Sequence, residues 1–559
     1  MPNYLVLLSI NLKSLIILPL NFQLMNRLNK LTKYERFFFL AVVVLNLIPI
    51  LSHRFFPTID GPAHLYNANL INHMLLNPDF DSFFRFNPEP VPNWIGHILL
   101  CFFNWFLPGY LAEKLLLLVY FIGLPYSFRN LIKSAGGEYV LLSYLIFPFT
   151  YNYLFSMGFY NFSLGLIGLF ILLSFWIKNH ETITSSIKKT VILSIFLILI
   201  YFSHVLMFST ALLAIACYTF ATFLKQWIEG GKFEKVFMIH LKKVLVLLVS
   251  SLIPLVLMFF YFANRPDSEN PGFLSKSELF SWLIYMNPLI CYSFGVEKIS
   301  TIITNIVLAG LIIGGLIIRV RTRKSSTCGN SIKSVLRIND VWLLMSAIML
   351  LLLFIVPDKN DMASLISMRF AFLFFLFTVI WISTMKHSKR FALICSLLVL
   401  VAHVKRVRHL DPVIDSNNAI AMDCEETAKF IKPNSIVAPV NLRNHWSREN
   451  FFNYLGMDKP LIILENYEAT MDYFPLLWNY EKFPDIQAGG ISLAGNSFLS
   501  SAPINPQNQK KELDYIFVLG DWDRSNTEQL KTLQLISLHF TLIHKNTNCT
   551  LYRRKIPRK

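Results

Sequence analysis

Residues 37–68 read FFFLAVVVLNLIPILSHRFFPTIDGPAHLYNA. The first half, 37–52, is an apolar run led in by Arg27, Lys30, Lys33 and Arg36, a basic lead that marks the cytoplasmic end of a membrane helix. A spanning helix takes about 20 apolar residues, fewer when its ends are anchored. The second half turns polar at once: Asp60 and His64 flank a Gly-Pro turn just where the chain leaves the bilayer. A Gly-Pro turn there sends the chain back toward the membrane and aims the Asp60 carboxylate at the mouth of a helical bundle. A carboxylate that only closes an Asx-turn or caps the next helix is the competing explanation.

The rest of the chain repeats the apolar half of that pattern. It has 559 residues, 54% hydrophobic and 15% charged, with a mean hydropathy of +0.49. This composition excludes an ordinary soluble domain. Further candidate spans lie near 111–128, 139–155, 158–177, 189–206, 207–224, 243–262, 300–319, 340–356, 369–385 and 391–404, eleven with the first. The segments 94–107 and 278–294 read as interfacial or re-entrant, and full crossings there raise the count to twelve or thirteen. The net charge of +17 sits in short clusters at 27–36, 129–133, 178–189, 225–243, 319–337 and 386–390. Alternating eleven spans from a cytoplasmic N-terminus places all six inside, so the basicity follows topology and not nucleic-acid binding. One cluster, KRVRH at 405–409, falls on the wrong side.

The expected fold is therefore a polytopic α-helical membrane protein of about 11–13 transmembrane helices in the cell (inner) membrane. The reading divides the chain into a cytoplasmic segment 1–35, a transmembrane domain 36–404 with a first outward loop 53–93, and a C-terminal domain 405–559. Translation starting at Met25 is part of this reading, because residues 4–22 are interrupted by Lys13 and Pro19 and lack a cleavage site. In the tail, SIVAPV, PLIILENY, YIFVLG and FTLIHK are short β-type runs between polar turns, which predicts a soluble α/β or α+β domain on the extracytoplasmic side. Seven scattered cysteines include no C-x-x-C pair. Cys424 and Cys549 fall in the outward tail and are candidates to pair.

The same alternation gathers the chemically capable residues on one face: Asp60, His64, Tyr160 and Asn161 of MGFYNF, His204 of FSH, the loop cations Arg265 and Lys359, and Arg369. Such a face suits an anionic phosphate head group, with Arg as a bidentate fork, Lys as a point charge and Asp60 as general base for an incoming hydroxyl. The other acids of the loop, Asp79, Asp81 and Glu89, are too far along the chain to form a glycosidase carboxylate pair.

The acid in the first outward loop within IDGPAHL, the NPEPVPNW segment before an interfacial helix, the spans and the outward tail together resemble the C-type (GT-C) integral-membrane glycosyltransferases. The resemblance covers residues 30–404 at the level of architecture. It implies a polyprenyl-phosphate-linked sugar as donor, a lipid or glycan acceptor hydroxyl, contact with membrane lipids, and inversion at the anomeric carbon. Asp60 inherits the role of base, and His64 an orienting role beside it. Arg369, Lys359, Arg265, His204, Asn161 and Tyr160 are candidates for the lipid phosphate or sugar. Many members carry two adjacent acids in that loop, whereas Ile59 and Gly61 flank Asp60 here, so no metal ligand and no cofactor is indicated. Two other classes fit the composition: a multi-pass transporter or lipid flippase, and a non-catalytic envelope-assembly protein. A transporter would carry charges at mid-span, and a scaffold has no use for the Asp60 loop.

Overall fold

The computed structural model describes residues 34–77, 80–137, 140–264, 271–324, 337–360, 363–443, 445–493, 501–523 and 525–555. The stretch around Met25 and the expected loop cation Arg265 lie outside the described residues. Helix α1 (Glu35–Asn46) belongs to its own unit, and Leu47–Lys559 forms one compact unit. This second unit begins with the short helix α2 (Ile48–Ser52), α3 (Gly61–Leu76), strand β1 (Phe84–Phe86) and α4 (Ile95–Asn104). The helical body continues through α5 (Gly109–Ser134), α6 (Tyr153–Ser156), α7 (Tyr160–Asn179), α8 (Ile187–Ser203), α9 (Val205–Ile228) and α10 (Phe233–Ala263). It closes with α11 (Lys276–Tyr285), α12 (Phe294–Lys324), α13 (Val341–Ile355), α14 (Ile366–Thr384) and the long α15 (Lys389–Ala428).

Among the described residues, seven helices are long and apolar enough to cross a membrane: α5, α7, α9, α10, α12, α13 with the turn before it, and α14. Each falls on one of the eleven expected spans. The other four differ. Residues 37–52 form α1 and the five-residue α2, while α8 has 17 residues and 391–404 is the opening of the 40-residue α15. The expected span 139–155 is a 3-10 helix over Val140–Phe149 followed by α6. Pro148 withholds a donor there. Side chains serve the segment: Arg406 Nη2 donates to the carbonyls of Pro148 and Tyr151, at 2.6 and 2.7 Å. Residues 142–149 are buried, the setting in which irregular backbone survives in an apolar body. The ten-residue α4 and α11 are too short to span, as expected of interfacial pieces.

The same bonds account for one cation of the misplaced cluster. Arg406 is 2% exposed and lies 3.7 Å from the Glu297 carboxylate, so it is an internal partner and carries no topological signal.

The C-terminal region supplies β2 (Ile436–Asn441), β3 (Ile462–Ile463), β4 (Leu476–Trp478), β5 (Asp485–Ala488), β6 (Ile491–Ser492), β7 (Lys510–Glu512), β8 (Tyr515–Leu519), helix α16 (Thr527–His539), β9 (Phe540–Lys545) and β10 (Cys549–Arg554). A mixed five-stranded sheet has the order β3-β2-β8-β10-β9, with β2 parallel to β3 and β8 and the last pairs antiparallel. Of the four runs read as strands, 435–440, 515–520 and 540–545 carry β2, β8 and β9, and 460–467 carries only the two-residue β3. The chain returns to its own beginning in this region. Strand β1 pairs antiparallel with β4, Phe84 opposite Trp478, and the two rings stack at 4.5 Å. Tyr66 on α3 donates to the Leu461 carbonyl at 2.8 Å and accepts from the Ile463 N–H at 3.1 Å. Asn69 donates to the Gly456 carbonyl at 2.8 Å. Helix α3 is therefore covered by the C-terminal region over most of its length, which explains how His64, Asn67 and Asn72 come to be buried on it.

Candidate active site

Asp60 sits at the N-cap position of α3, yet its side chain makes no capping hydrogen bond. Thr58 takes that duty: its Oγ1 accepts from the Gly61 N–H at 3.1 Å. The Asp60 carboxylate is left to point outward, where Oδ1 accepts from Asn450 Nδ2 at 3.0 Å and the Tyr467 hydroxyl is a further donor. It forms part of the wall of a cavity of about 580 Å³, otherwise lined from the C-terminal region by Glu449, Asn450, Phe452, Glu465, Tyr467 and Trp522 among others. Three carboxylates and several aromatic faces give this lining the character of a polyol site, since hydroxyls donate to carboxylates and sugar rings stack on aromatic faces.

Burial pushes the Asp60 carboxyl up to about 7; the nearby Glu468 and Glu449 carboxylates add to that, against the lowering effect of His64 and the Tyr467 hydroxyl. A carboxyl held near neutrality in a cleft is poised to take a proton from an alcohol.

The turn MGFYNF is the other half of the site. Ile59 and Asp60 donate their N–H groups to the carbonyls of Ser156 and Met157, both at 3.1 Å. Gly158, at φ +91°, lies so close that a Cβ would meet the Asp60 backbone at 2.7 Å. Behind Gly61, Tyr160 donates to Glu113 Oε1 at 2.9 Å and accepts from Thr58 at 2.9 Å, while Tyr454 donates to Glu113 Oε2 at 3.1 Å. A Cβ on Gly61 would run into this network.

The other expected residues divide between these two surroundings and places farther off. His64 is buried, its Nε2 facing the Gly158 carbonyl at 3.1 Å and its Nδ1 2.6 Å from Glu468 Oε1. Asn161 is occupied in holding the start of α4: its Oδ1 accepts from the Gly96 N–H at 2.6 Å and its Nδ2 donates to the Asn93 carbonyl at 3.0 Å. His204 caps α9, accepting from the Leu206 N–H at 3.1 Å, and its ring meets Phe162. Arg369 opens α14 with its guanidinium 4.9 Å from the Phe159 ring centroid. Neither lines the Asp60 cavity, but Tyr473 lies within electrostatic range of both the Asp60 carboxylate and the Arg369 guanidinium. Lys359 is exposed, joined to Gly272 through a backbone bridge.

Four groups escape a sequence reading: Glu468, His97, Asn450 and Tyr467. Glu468 and Tyr467 fall in ILENYEATMDYFPLLWNY (463–480), whose Tyr, Trp and acids read either as a stacking platform for a sugar or acceptor or as an ordinary domain core, without singling out either residue. His97 is one histidine in the apolar run WIGHILL.

No protein-family model and no curated protein matches the chain. Its structure resembles that of ArnT from Cupriavidus metallidurans in the apo state, with a TM-score of 0.50 at 9% identity, covering 92% of this chain and 97% of that one. A second structure of ArnT from that organism, bound to undecaprenyl phosphate, aligns over the same shares at 10% identity and a TM-score of 0.39. The chain has an ArnT-like fold, which agrees with the architecture expected from the outward-loop acid, the apolar spans and the strand-bearing tail.

Proposed function

We propose that this chain is a membrane glycosyltransferase that moves a sugar from a polyprenyl-phosphate carrier to an acceptor hydroxyl on the extracytoplasmic face, with inversion. The observation that carries the reading is the Asp60 carboxylate, released from capping by Thr58 and presented on a polar, aromatic-lined cavity. In the reaction, Asp60 accepts the proton of the acceptor hydroxyl as its oxygen bonds to the anomeric carbon. The bond from that carbon to the phosphate oxygen breaks on the opposite side, and its electron pair leaves on the lipid phosphate. Arg369, which like Asp60 lies within electrostatic range of Tyr473, is the cation we assign to the departing phosphate. Glu449, Glu465 and Trp522 hold the acceptor, and the 405–559 region acts as the extracytoplasmic wall of the site.

His64 acts at one remove in this scheme, because its ring is held between Gly158 and Glu468. Transfer is tested by purifying the Asp60→Asn protein and identifying co-purifying lipids by mass spectrometry. A sugar-bearing polyprenyl phosphate retained by the variant supports the reading. Equal release of an unmodified carrier by variant and wild type, with no sugar transferred by either, overturns it.

A further inference from the structure

His64 on α3, His97 on α4 and Glu468 of the C-terminal region converge from three distant parts of the chain, His97 and Glu468 being 371 residues apart. One ligand-capable atom from each lies within 4.8 Å of the others. The three side chains are 5%, 1% and 0% exposed. Phe474 packs against both imidazoles, at 5.8 and 5.7 Å between ring centroids, and Tyr160 covers His64 at 5.5 Å.

The tautomers are set from behind. His64 Nε2 faces the Gly158 carbonyl at 3.1 Å and His97 Nδ1 the Asn93 carbonyl at 3.3 Å, so each ring spends its proton there. The other nitrogen of each, His64 Nδ1 and His97 Nε2, turns to the Glu468 carboxylate at 2.6 and 2.9 Å. Imidazoles fixed by a distal carbonyl with the opposite nitrogen bare, beside a carboxylate, form the usual outer arrangement of a metal site. Asn67 adds a third outer contact, its Nδ2 donating to Glu468 Oε2 at 3.0 Å. His97 Nε2 and Glu468 Oε2 share one hydrogen bond, whereas His64 Nδ1 and Glu468 Oε1 meet at 2.6 Å as an ion pair outside hydrogen-bond geometry.

We propose that His64, His97 and Glu468 bind one divalent transition-metal ion, zinc by the chemistry of the donor set. Two imidazole nitrogens and a carboxylate oxygen are a three-ligand zinc set. Two such ligands at the usual zinc distances stand about 3.4 Å apart, so the carboxylate recedes from each imidazole by less than about 1 Å to admit the ion. A divalent ion also stands in, charge for charge, for the two protons that would otherwise occupy the inner nitrogens. The site is a staple: it ties α3, and hence the Asp60 turn, to α4 and the C-terminal region. It holds whatever reaction the cavity performs.

The test uses the full chain in detergent, without a polyhistidine tag. Elemental analysis is expected to find about one zinc per chain. Chelator-stripped protein titrated with Co²⁺ alone should develop the visible absorption of a tetrahedral site. His97→Ala and Glu468→Gln should each lose the band, and Asn67→Ala should weaken binding about 10- to 100-fold. His97→Cys keeps a ligand and should add a thiolate-to-cobalt charge-transfer band, which no purely structural role produces. Wild-type protein with neither zinc nor a cobalt band overturns the proposal. So does undiminished metal in folded His97→Ala or Glu468→Gln, or a folded, cobalt-loaded His97→Cys that lacks the charge-transfer band.

Discussion

Replacing Asp60 with Asn separates the two roles open to this residue, because Asn preserves the size, the Oδ1 that accepts from Asn450 and the capping left to Thr58. What it removes is the base. A positioned general base is worth about 10² to 10⁴ in rate, or about 2.7 to 5.4 kcal/mol of transition-state stabilisation. Stability should move the other way. A carboxyl pushed from 3.8 up to about 7 in the fold opposes folding wherever it is ionised, by up to about 4 kcal/mol at 1.36 kcal/mol per pH unit. The sign follows from the raised value: the native state binds the proton more tightly than the unfolded chain, so stability is lost as pH rises from about 4 to about 7. Because the carboxyl opens on the cavity, we expect Asp60→Asn to gain about 1 to 3 kcal/mol at pH above 7 and nothing near pH 4. Transfer from a polyprenyl-phosphate sugar and thermal unfolding in detergent are to be measured on the same preparations. Wild-type transfer should fall as pH drops through about 7, the limb of an ionising base raised well above an ordinary Asp. An Asn variant that transfers at the wild-type rate, or that is destabilised at neutral pH, refutes the reasoning, since either result makes Asp60 a structural residue.

Arg406→Met should lower stability by about 3 kcal/mol, because it strips two buried carbonyls of their donor and leaves Glu297 without its cation. Thermal unfolding in detergent reads this, and the double variant with Glu297→Gln should recover part of the loss; an unchanged midpoint in the single variant contradicts the assignment. The Cys424 and Cys549 sulfurs are buried 3.7 Å apart in the structure, close enough to bond under oxidation. Protein taken from an oxidising compartment and denatured without reductant should then alkylate five of its seven cysteines, and seven alkylated thiols refute the pairing. A reporter that fluoresces only in the cytoplasm should stay dark after Lys559 and glow within 325–335; the reverse pattern removes the assigned active face.

The spans that could be read were those whose burial is a matter of composition: seven long apolar helices fall where hydropathy puts them. The conformation of segment 139–155 is not legible from its apolar run, because it depends on Pro148 and on a guanidinium arriving from more than 250 residues away. Arg406 misled in the same manner: a cation in a KRVRH cluster looks like a topological anchor until Glu297 is known to be beside it. At the candidate site, Asp60 and the Gly158 turn were legible because each carries a local signature, an acid before Gly-Pro and a glycine in a hairpin.

Periodicity adds one more clue that points beyond the local sequence. Asp60, His64 and Asn67 follow one another at helical spacing, so a helix starting at Gly61 puts three polar side chains on one face of a buried element. Burying such a face without partners costs about 1 to 3 kcal/mol per unsatisfied group. The chain had to supply those partners from elsewhere, and Asn450, Asn466 and Glu468 do so. The sequence spacing reveals the demand, but which residue meets it is set by the return of the C-terminal region over α3. Function therefore concentrates where the pattern looks unsatisfied: a polar stripe on a helix that the surrounding hydropathy would bury is the local sign of a distant carboxylate.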